Sequence, residues 1–69
     1  MEVRDANGTL LNDGDSVTVV KDLKVKGTSV TVKRGTLIKN IRLASETEIE
    51  CRVEKVKDLV LKTEFLRKA

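Results

Sequence analysis

Lys21-Asp22-Leu23-Lys24-Val25-Lys26-Gly27-Thr28, carried on through Lys33-Arg34-Gly35-Thr36-Leu37-Ile38-Lys39-Asn40-Ile41-Arg42-Leu43, is a basic run with the pattern of short strands. Residues 21–43 hold seven of the 14 basic residues of the chain, Lys21, Lys24, Lys26, Lys33, Arg34, Lys39 and Arg42, against one acid, Asp22. Gly27 and Gly35 interrupt the run where strands must turn, and Val30 and Val32 alternate with Thr31 and Lys33 between them. Such alternation, rich in β-branched residues and bounded by glycine, predicts strands rather than helices. Over residues 36–43 it places Leu37, Ile41 and Leu43 on one face and Ile38, Asn40 and Arg42 on the other. Lys39 falls on the apolar face, at an edge where its stem lies on hydrocarbon and its ammonium reaches water.

Toward the N-terminus, Ser16-Val17-Thr18-Val19-Val20 is a strand with Val17 and Val19 on one face. Val20 and Leu23 break the period of two, which predicts a bend near Val19 and Val20. Asn7-Gly8 predicts a two-residue hairpin turn of type I′, because both residues tolerate positive φ. Asn12-Asp13-Gly14-Asp15 predicts a second turn. Asp13 and Asp15 lack the further oxygen ligands of a calcium loop, so turning is their expected role.

Toward the C-terminus, Ile49, Cys51 and Val53 alternate with Glu48, Glu50, Arg52 and Glu54, and Leu59 and Leu61 alternate with Val60 and Lys62. Helical spacing of Ile49, Val53, Val56 and Val60 competes with this reading. The β-branched content favours a hairpin turning over residues 55–58. Residues 63–68 end the chain as a short helical turn, with Phe65, the one aromatic residue, plugging the core. The expected architecture is one all-β domain over residues 1–69, a small barrel of five or six short, strongly bent antiparallel strands with a short C-terminal helical turn.

The chain of 69 residues has room for only a modest core, supplying about 3–5 kcal/mol of net stability. With no histidine and one cysteine, Cys51, a disulfide within the chain and a structural zinc site are both excluded. Compact β-packing, helped by weak self-association, is the remaining route, giving a monomer or weak homodimer. Charged residues Glu2, Arg4 and Asp5 at the N-terminus do not fit a signal peptide. No apolar run reaches the ~18 residues of a membrane span. A cytoplasmic protein without membrane contact is expected.

Several segments together resemble the PhnA-like domain family: Asp5-Ala6-Asn7-Gly8, Asp13-Gly14-Asp15-Ser16-Val17, Val20-Lys21-Asp22-Leu23-Lys24-Val25-Lys26-Gly27, Lys33-Arg34-Gly35-Thr36, Lys39-Asn40-Ile41-Arg42-Leu43 and Leu61-Lys62-Thr63-Glu64-Phe65. The resemblance covers nearly the whole chain and implies an SH3-like β-barrel. It also implies a nominal link to alkylphosphonate utilisation, and some family members are described as phosphonoacetate hydrolases. Two departures stand out. The paired-cysteine zinc ribbon that precedes this domain in many members has no counterpart here. The family's glycine-bearing turn before the last strand is replaced by Glu54-Lys55-Val56-Lys57-Asp58.

Composition weighs against catalysis. Carbon–phosphorus hydrolysis calls for metals, an activated nucleophile or an acid–base pair. This chain has no histidine, and its only thiol falls on a core face. No cofactor, metal or catalytic residue is expected. The stronger expectation is a binding module for an unidentified protein partner or phosphate-bearing ligand. Lys21, Lys24, Lys26, Lys33, Arg34, Lys39 and Arg42 are the candidate anion or nucleic-acid contacts. Without tyrosine or tryptophan, base stacking is poorly served, so RNA binding would run through the backbone and depend steeply on salt. Amides and cations of the Lys33-Arg34-Gly35 turn suit a small oxyanion such as a phosphonate. Ile38, Val56 and Val60, placed outward by the alternation, form a candidate docking patch.

Overall fold

A computed structural model describes residues 2–25, 29–53 and 56–69. Among them the chain is all-β, with ten short strands: β1 Val3–Arg4, β2 Leu10–Leu11, β3 Val17–Val19, β4 Leu23–Lys24, β5 Thr31–Val32, β6 Leu37–Ile38, β7 Arg42–Leu43, β8 Glu48–Val53, β9 Val56–Lys62 and β10 Leu66–Lys68. One 3-10 turn, Thr63–Phe65, separates β9 from β10. The strands pair antiparallel in four sheets, ordered β1-β2, β10-β3-β6, β4-β5 and β7-β8-β9. The all-β expectation holds, with more and shorter strands than the five or six expected, because bends interrupt nearly every alternating run. No helix among the described residues is long and apolar enough to cross a membrane.

The core lies between the inner faces of the two three-stranded sheets. Val17, Val19, Ile38 and Leu66 enter it from β10-β3-β6, and Ile49, Cys51, Leu59 and Leu61 from β7-β8-β9. Val3, Leu11 and Val32 cap this layer from the two small ladders, and Ile41 fills it from a connection. The bend beyond Val19 is present: β3 ends at Val19 and the chain bends at Val20 and Lys21. Gly35 marks a corner with φ of 87°, a left-handed conformation that favours glycine.

The β8-β9 hairpin forms as the alternation predicts, with Ile49 opposite Leu61 and Cys51 opposite Leu59. Its turn does not span residues 55–58, since Val56 already pairs with Val53 and Lys57 and Asp58 belong to β9. A register shift between Cys51 and Val53, with Asp58 at φ 54°, takes up the extra residue as a bulge. Leu66, expected in a helical turn, begins a strand instead. It is fully buried opposite Val19.

Two local readings are corrected. Residues 36–43 are not one strand, because Asn40 adopts φ of 57° and breaks the run between β6 and β7. Asparagine tolerates that conformation better than most residues. The break shifts the phase of the pleat, so that Ile38 and Ile41 are both buried while Leu37 is half exposed. Ile38 therefore drops out of the candidate docking patch. Asn7 and Gly8 do not make a two-residue turn either. Residues 5–8 form a turn closed by Gly8 N–H donating to the Asp5 carbonyl at 3.1 Å, and only Gly8 has positive φ. Asp5 N–H then donates to the Thr9 carbonyl at 2.9 Å. This is the longer hairpin connection built on a type I turn and a left-handed glycine. Gly27, expected at a corner, lies outside the described residues.

Candidate functional site

Four aspartates organise the loops around the core. Asp5, only 7 % exposed, accepts the Asn7 and Thr9 N–H groups on Oδ1 and the Lys68 N–H on Oδ2 at 2.7 Å. Asp13 Oδ1 accepts the Leu43 N–H at 2.8 Å, tying the second turn to β7. Asp15 Oδ2 accepts the Asn12 N–H at 2.8 Å and lies 3.3 Å from Lys68 Nζ. Asp22 Oδ1 accepts the Arg34 N–H at 2.8 Å. Asp13 and Asp15 thus reach toward different parts of the fold, as turn residues rather than as a cation pair. Among the described residues no group of three His, Cys, Asp or Glu is placed to hold a metal ion.

Cys51 is buried on β8. Burial pushes its thiol up to about 11, with the Glu50 carboxylate adding to the effect. A thiol of that kind is almost wholly protonated near neutrality, and the thiolate is the reactive form. Cys51 is expected to resist iodoacetamide at pH 8 in the native protein and to alkylate rapidly in denaturant, followed by mass spectrometry. Comparable labelling rates in both conditions would contradict the burial.

The six candidate cations among the described residues do not form one patch. Lys24 sits on β4 opposite Thr31, out on the β4-β5 ladder. Lys26 lies outside the described residues. Lys33 and Arg34 lead into the Gly35 corner, and the Arg34–Asp22 bond ties this corner to the strand entry beside Lys21. Lys39 follows β6 at the other end of the β3-β6 ladder, where Val17 pairs with Ile38. Arg42 belongs to a different sheet. It pairs across strands with Glu50 and lines an open groove of about 310 Å³ with Asn40, Arg52, Lys57 and Asp58.

The outer face of the β10-β3-β6 sheet gathers several of these groups. Leu66, Val17, Val19 and Ile38 point inward, so Arg67, Thr18 and Leu37, which stand opposite one another in register, point outward in one row. Leu37, on the outer strand β6, is 50 % exposed on this face. Arg67 stands beside it across β3, Lys39 lies beyond one end of β6, and Lys21 and Arg34 lie at the opposite end. Lys21 Nζ rests 4.0 Å from the centroid of the Phe65 ring, a cation–π contact. Phe65 is therefore not a buried plug but a half-buried ring at the border of this face.

Arg67 and Phe65 are the members that sequence reasoning missed. Residues 63–68 were readable as a helical turn, and only pairing with β3 reveals which of them face outward. The oxyanion turn, by contrast, loses its donors. Arg34 N–H donates to Asp22, Gly35 N–H to the Val19 carbonyl at 2.8 Å and Thr36 N–H to the Lys33 carbonyl at 3.1 Å. Three successive amides are engaged within the fold and do not converge on a ligand.

A family model described as the PhnA domain matches residues 3–69. The chain is 54 % identical over 67 residues to Protein YjdM of Escherichia coli strain K12, covering 96 % of this chain and 60 % of that protein. It is 49 % identical over 67 residues to Protein YjdM of Streptococcus mutans, covering 96 % of this chain and 61 % of the relative. A Haemophilus influenzae protein named as a YjdM homolog is 47 % identical over 68 residues, covering 97 % of this chain and 52 % of the relative. The chain thus spans between about half and three-fifths of the length of these relatives. A match running from β1 to the last residue, over the same strands and turns that carry the resemblance, assigns the family: the chain belongs to the PhnA domain family.

Proposed function

We propose that this chain is a non-catalytic binding domain, acting in the cytoplasm, that holds a phosphate-bearing polymer across the outer face of the β10-β3-β6 sheet. The observation that carries this reading is the row of Arg67, Thr18 and exposed Leu37, flanked by Lys39 and by Lys21 on Phe65. Cations spaced along a strand neutralise successive phosphates, and an exposed aliphatic side chain with a ring edge offers a surface for an unstacked base or sugar. Engagement of Asp5, Asp13, Asp15 and Asp22 by backbone N–H groups, together with the protonated Cys51 thiol, supports a binding role over hydrolysis. The family's nominal connection to alkylphosphonates supplies a competing small ligand, which the engaged amides of the Gly35 corner disfavour.

Short mixed-sequence single-stranded RNA titrated into the labelled domain is expected to shift amides near Lys21, Arg34, Leu37, Lys39 and Arg67. With four cations neutralised, affinity is expected to fall roughly 50-fold between about 50 and 200 mM salt. Arg67→Glu is expected to weaken binding about tenfold, and Arg42→Glu, on the other sheet, to change it little. Absence of shifts at low salt, or equal sensitivity to both substitutions, would refute the proposed face. An alkylphosphonate added to the same sample is expected to leave these amides unmoved.

A further inference from the structure

Strand β9 is the longest in the fold, with seven residues, and it stands at the edge of its sheet. Among the described residues no strand pairs with its outer side. Thr63 N–H donates to the Thr47 carbonyl at 2.9 Å, which fixes the alternation of the β8-β9 ladder. Leu59 and Leu61 therefore bond inward to β8, while the N–H and C=O groups of Val60 and Lys62 point outward from the edge. Ala44 N–H donating to the Glu48 carbonyl at 3.0 Å confirms the phase, because Glu48, opposite Lys62, bonds to the β7 side. Val60, at the middle of this open edge, is 49 % exposed. An exposed apolar residue on a long open edge invites strand pairing, and natural edges usually guard against it.

We infer that β9 pairs antiparallel with β9 of a second copy of this chain about a two-fold axis at Val60. The edge is self-complementary in that register and in both of its properties. Val60 faces Val60 of the other copy as a hydrogen-bonded pair, using groups that already point outward. Lys62 falls opposite Asp58 of the other copy, twice by symmetry, and Leu59 falls opposite Leu61, so the two buried faces stay aligned. The left-handed bend at Asp58 ends the paired ribbon at each side. The result is a continuous sheet ordered β7-β8-β9 followed by β9-β8-β7 of the other copy. A contact of this size lies below the ~1,000 Å² of a stable interface, so the dimer is weak and concentration-dependent.

Sedimentation velocity and amide shifts over a wide concentration range test the pairing. The unsubstituted chain is expected to dimerise reversibly, with concentration-dependent shifts centred on Val60. Val60→Lys is expected to abolish association. Lys62→Asp sets Asp against Asp58, and Asp58→Lys sets Lys against Lys62, so each variant alone is expected to associate about tenfold more weakly. Mixing the two single variants restores opposite charges at both ends and is expected to recover association as a heterodimer. A chain monomeric at every concentration, a dimer indifferent to Val60→Lys, or a mixture no tighter than its separate variants would each overturn the proposal. All three positions are exposed, Val60→Lys and Lys62→Asp leave the backbone unstrained, and circular dichroism verifies that Asp58→Lys, at the left-handed position, stays folded.

Discussion

Asp5→Ala is expected to leave a large fraction of the protein unfolded at 25 °C. The carboxylate accepts three backbone N–H groups, from Asn7 at 2.9 Å, Thr9 at 2.8 Å and Lys68 at 2.7 Å. Two of these close the first hairpin and the third ties it to the last strand, 63 residues along the chain. Hydrogen bonds to a charged acceptor contribute about 1.5–3 kcal/mol each, and donors left buried without a partner cost about 1–3 kcal/mol. Even with partial relaxation the loss is about 4 kcal/mol, comparable to the ~3–5 kcal/mol that a core of this size supplies. Thermal melts followed by circular dichroism are the check. A melting temperature lowered by less than about 10 °C would contradict this account, since each kcal/mol corresponds to about 4–8 °C in a domain of this size.

The same carboxylate sets a pH dependence whose sign follows from its environment. Burial raises the Asp5 pKa, but the N–H groups of Lys68, Thr9 and Asn7, with the Gly8 N–H nearby, outweigh it, and the net direction is below the ordinary 3.8. A group depressed in the folded state binds its proton more readily when unfolded. Its stabilisation is therefore present in full above the unfolded value and lost as pH falls through the folded value. Stability is expected to decline below about pH 4 and to recover on neutralisation. Asp5→Asn is expected to flatten that acid limb in part. Asp15, also held low by the Asn12 N–H and by Lys68, retains a share of it.

Leu66→Ala is expected to destabilise the fold by about 3 kcal/mol, within the ~2–5 kcal/mol range for truncating a buried leucine. Leu66 is fully buried opposite Val19, and its carbonyl accepts the Ala6 N–H at 2.8 Å. A cavity there opens beneath the seam that joins the first hairpin to β10, so little can collapse into it. Leu37→Ala is the matched control, because Leu37 is 50 % exposed on the opposite face of the same sheet. Its effect is expected to stay within about 0.5 kcal/mol. Urea unfolding of the two variants side by side decides the matter. Equal losses would mean that the facing of β6 or β10 differs from that described.

That comparison also marks where local pattern stops being informative. In residues 36–43 the alternation was real but its phase was not readable, because one left-handed residue, Asn40, moved Ile38 and Ile41 to the same side. Asn40 carries no neighbouring signal that separates this conformation from an ordinary strand position. The Asn7-Gly8 pair showed a turn correctly and mistook its length, since the deciding partner was the Asp5 side chain two and four residues away. The hairpin of β8 and β9 was legible where Ile49 and Cys51 face Leu61 and Leu59 at every second position, but its turn was not, because the bulge at residues 57 and 58 breaks that period.

The candidate site divides in the same way. Concentration of cations in residues 21–43 was visible in the chain, and so was the scarcity of nucleophiles and metal ligands. Which cations share a surface was not. Pairing of β3 with both β6 and β10 brings Arg67 beside Leu37, while the break at Asn40 carries Arg42 to the other sheet. A single aromatic residue has much to gain from burial, which points Phe65 to the core in a linear reading. The Lys21 ammonium over its ring offers the half-buried alternative.

Sequence alone determined the all-β class, the glycine corner at Gly35, the long C-terminal hairpin, the family and the segregation of charge. These depend on interactions between residues close in the chain or on period-two patterning, which a linear reading contains. Tertiary structure alone decided the facing of residues 36–43, the strand role of Leu66, the engagement of Asp5 by Lys68 and of Asp22 by Arg34, and the make-up of the basic face. Each of these depends on a partner brought close by folding, or on a backbone conformation selected by such a partner, and neither leaves a mark on local spacing.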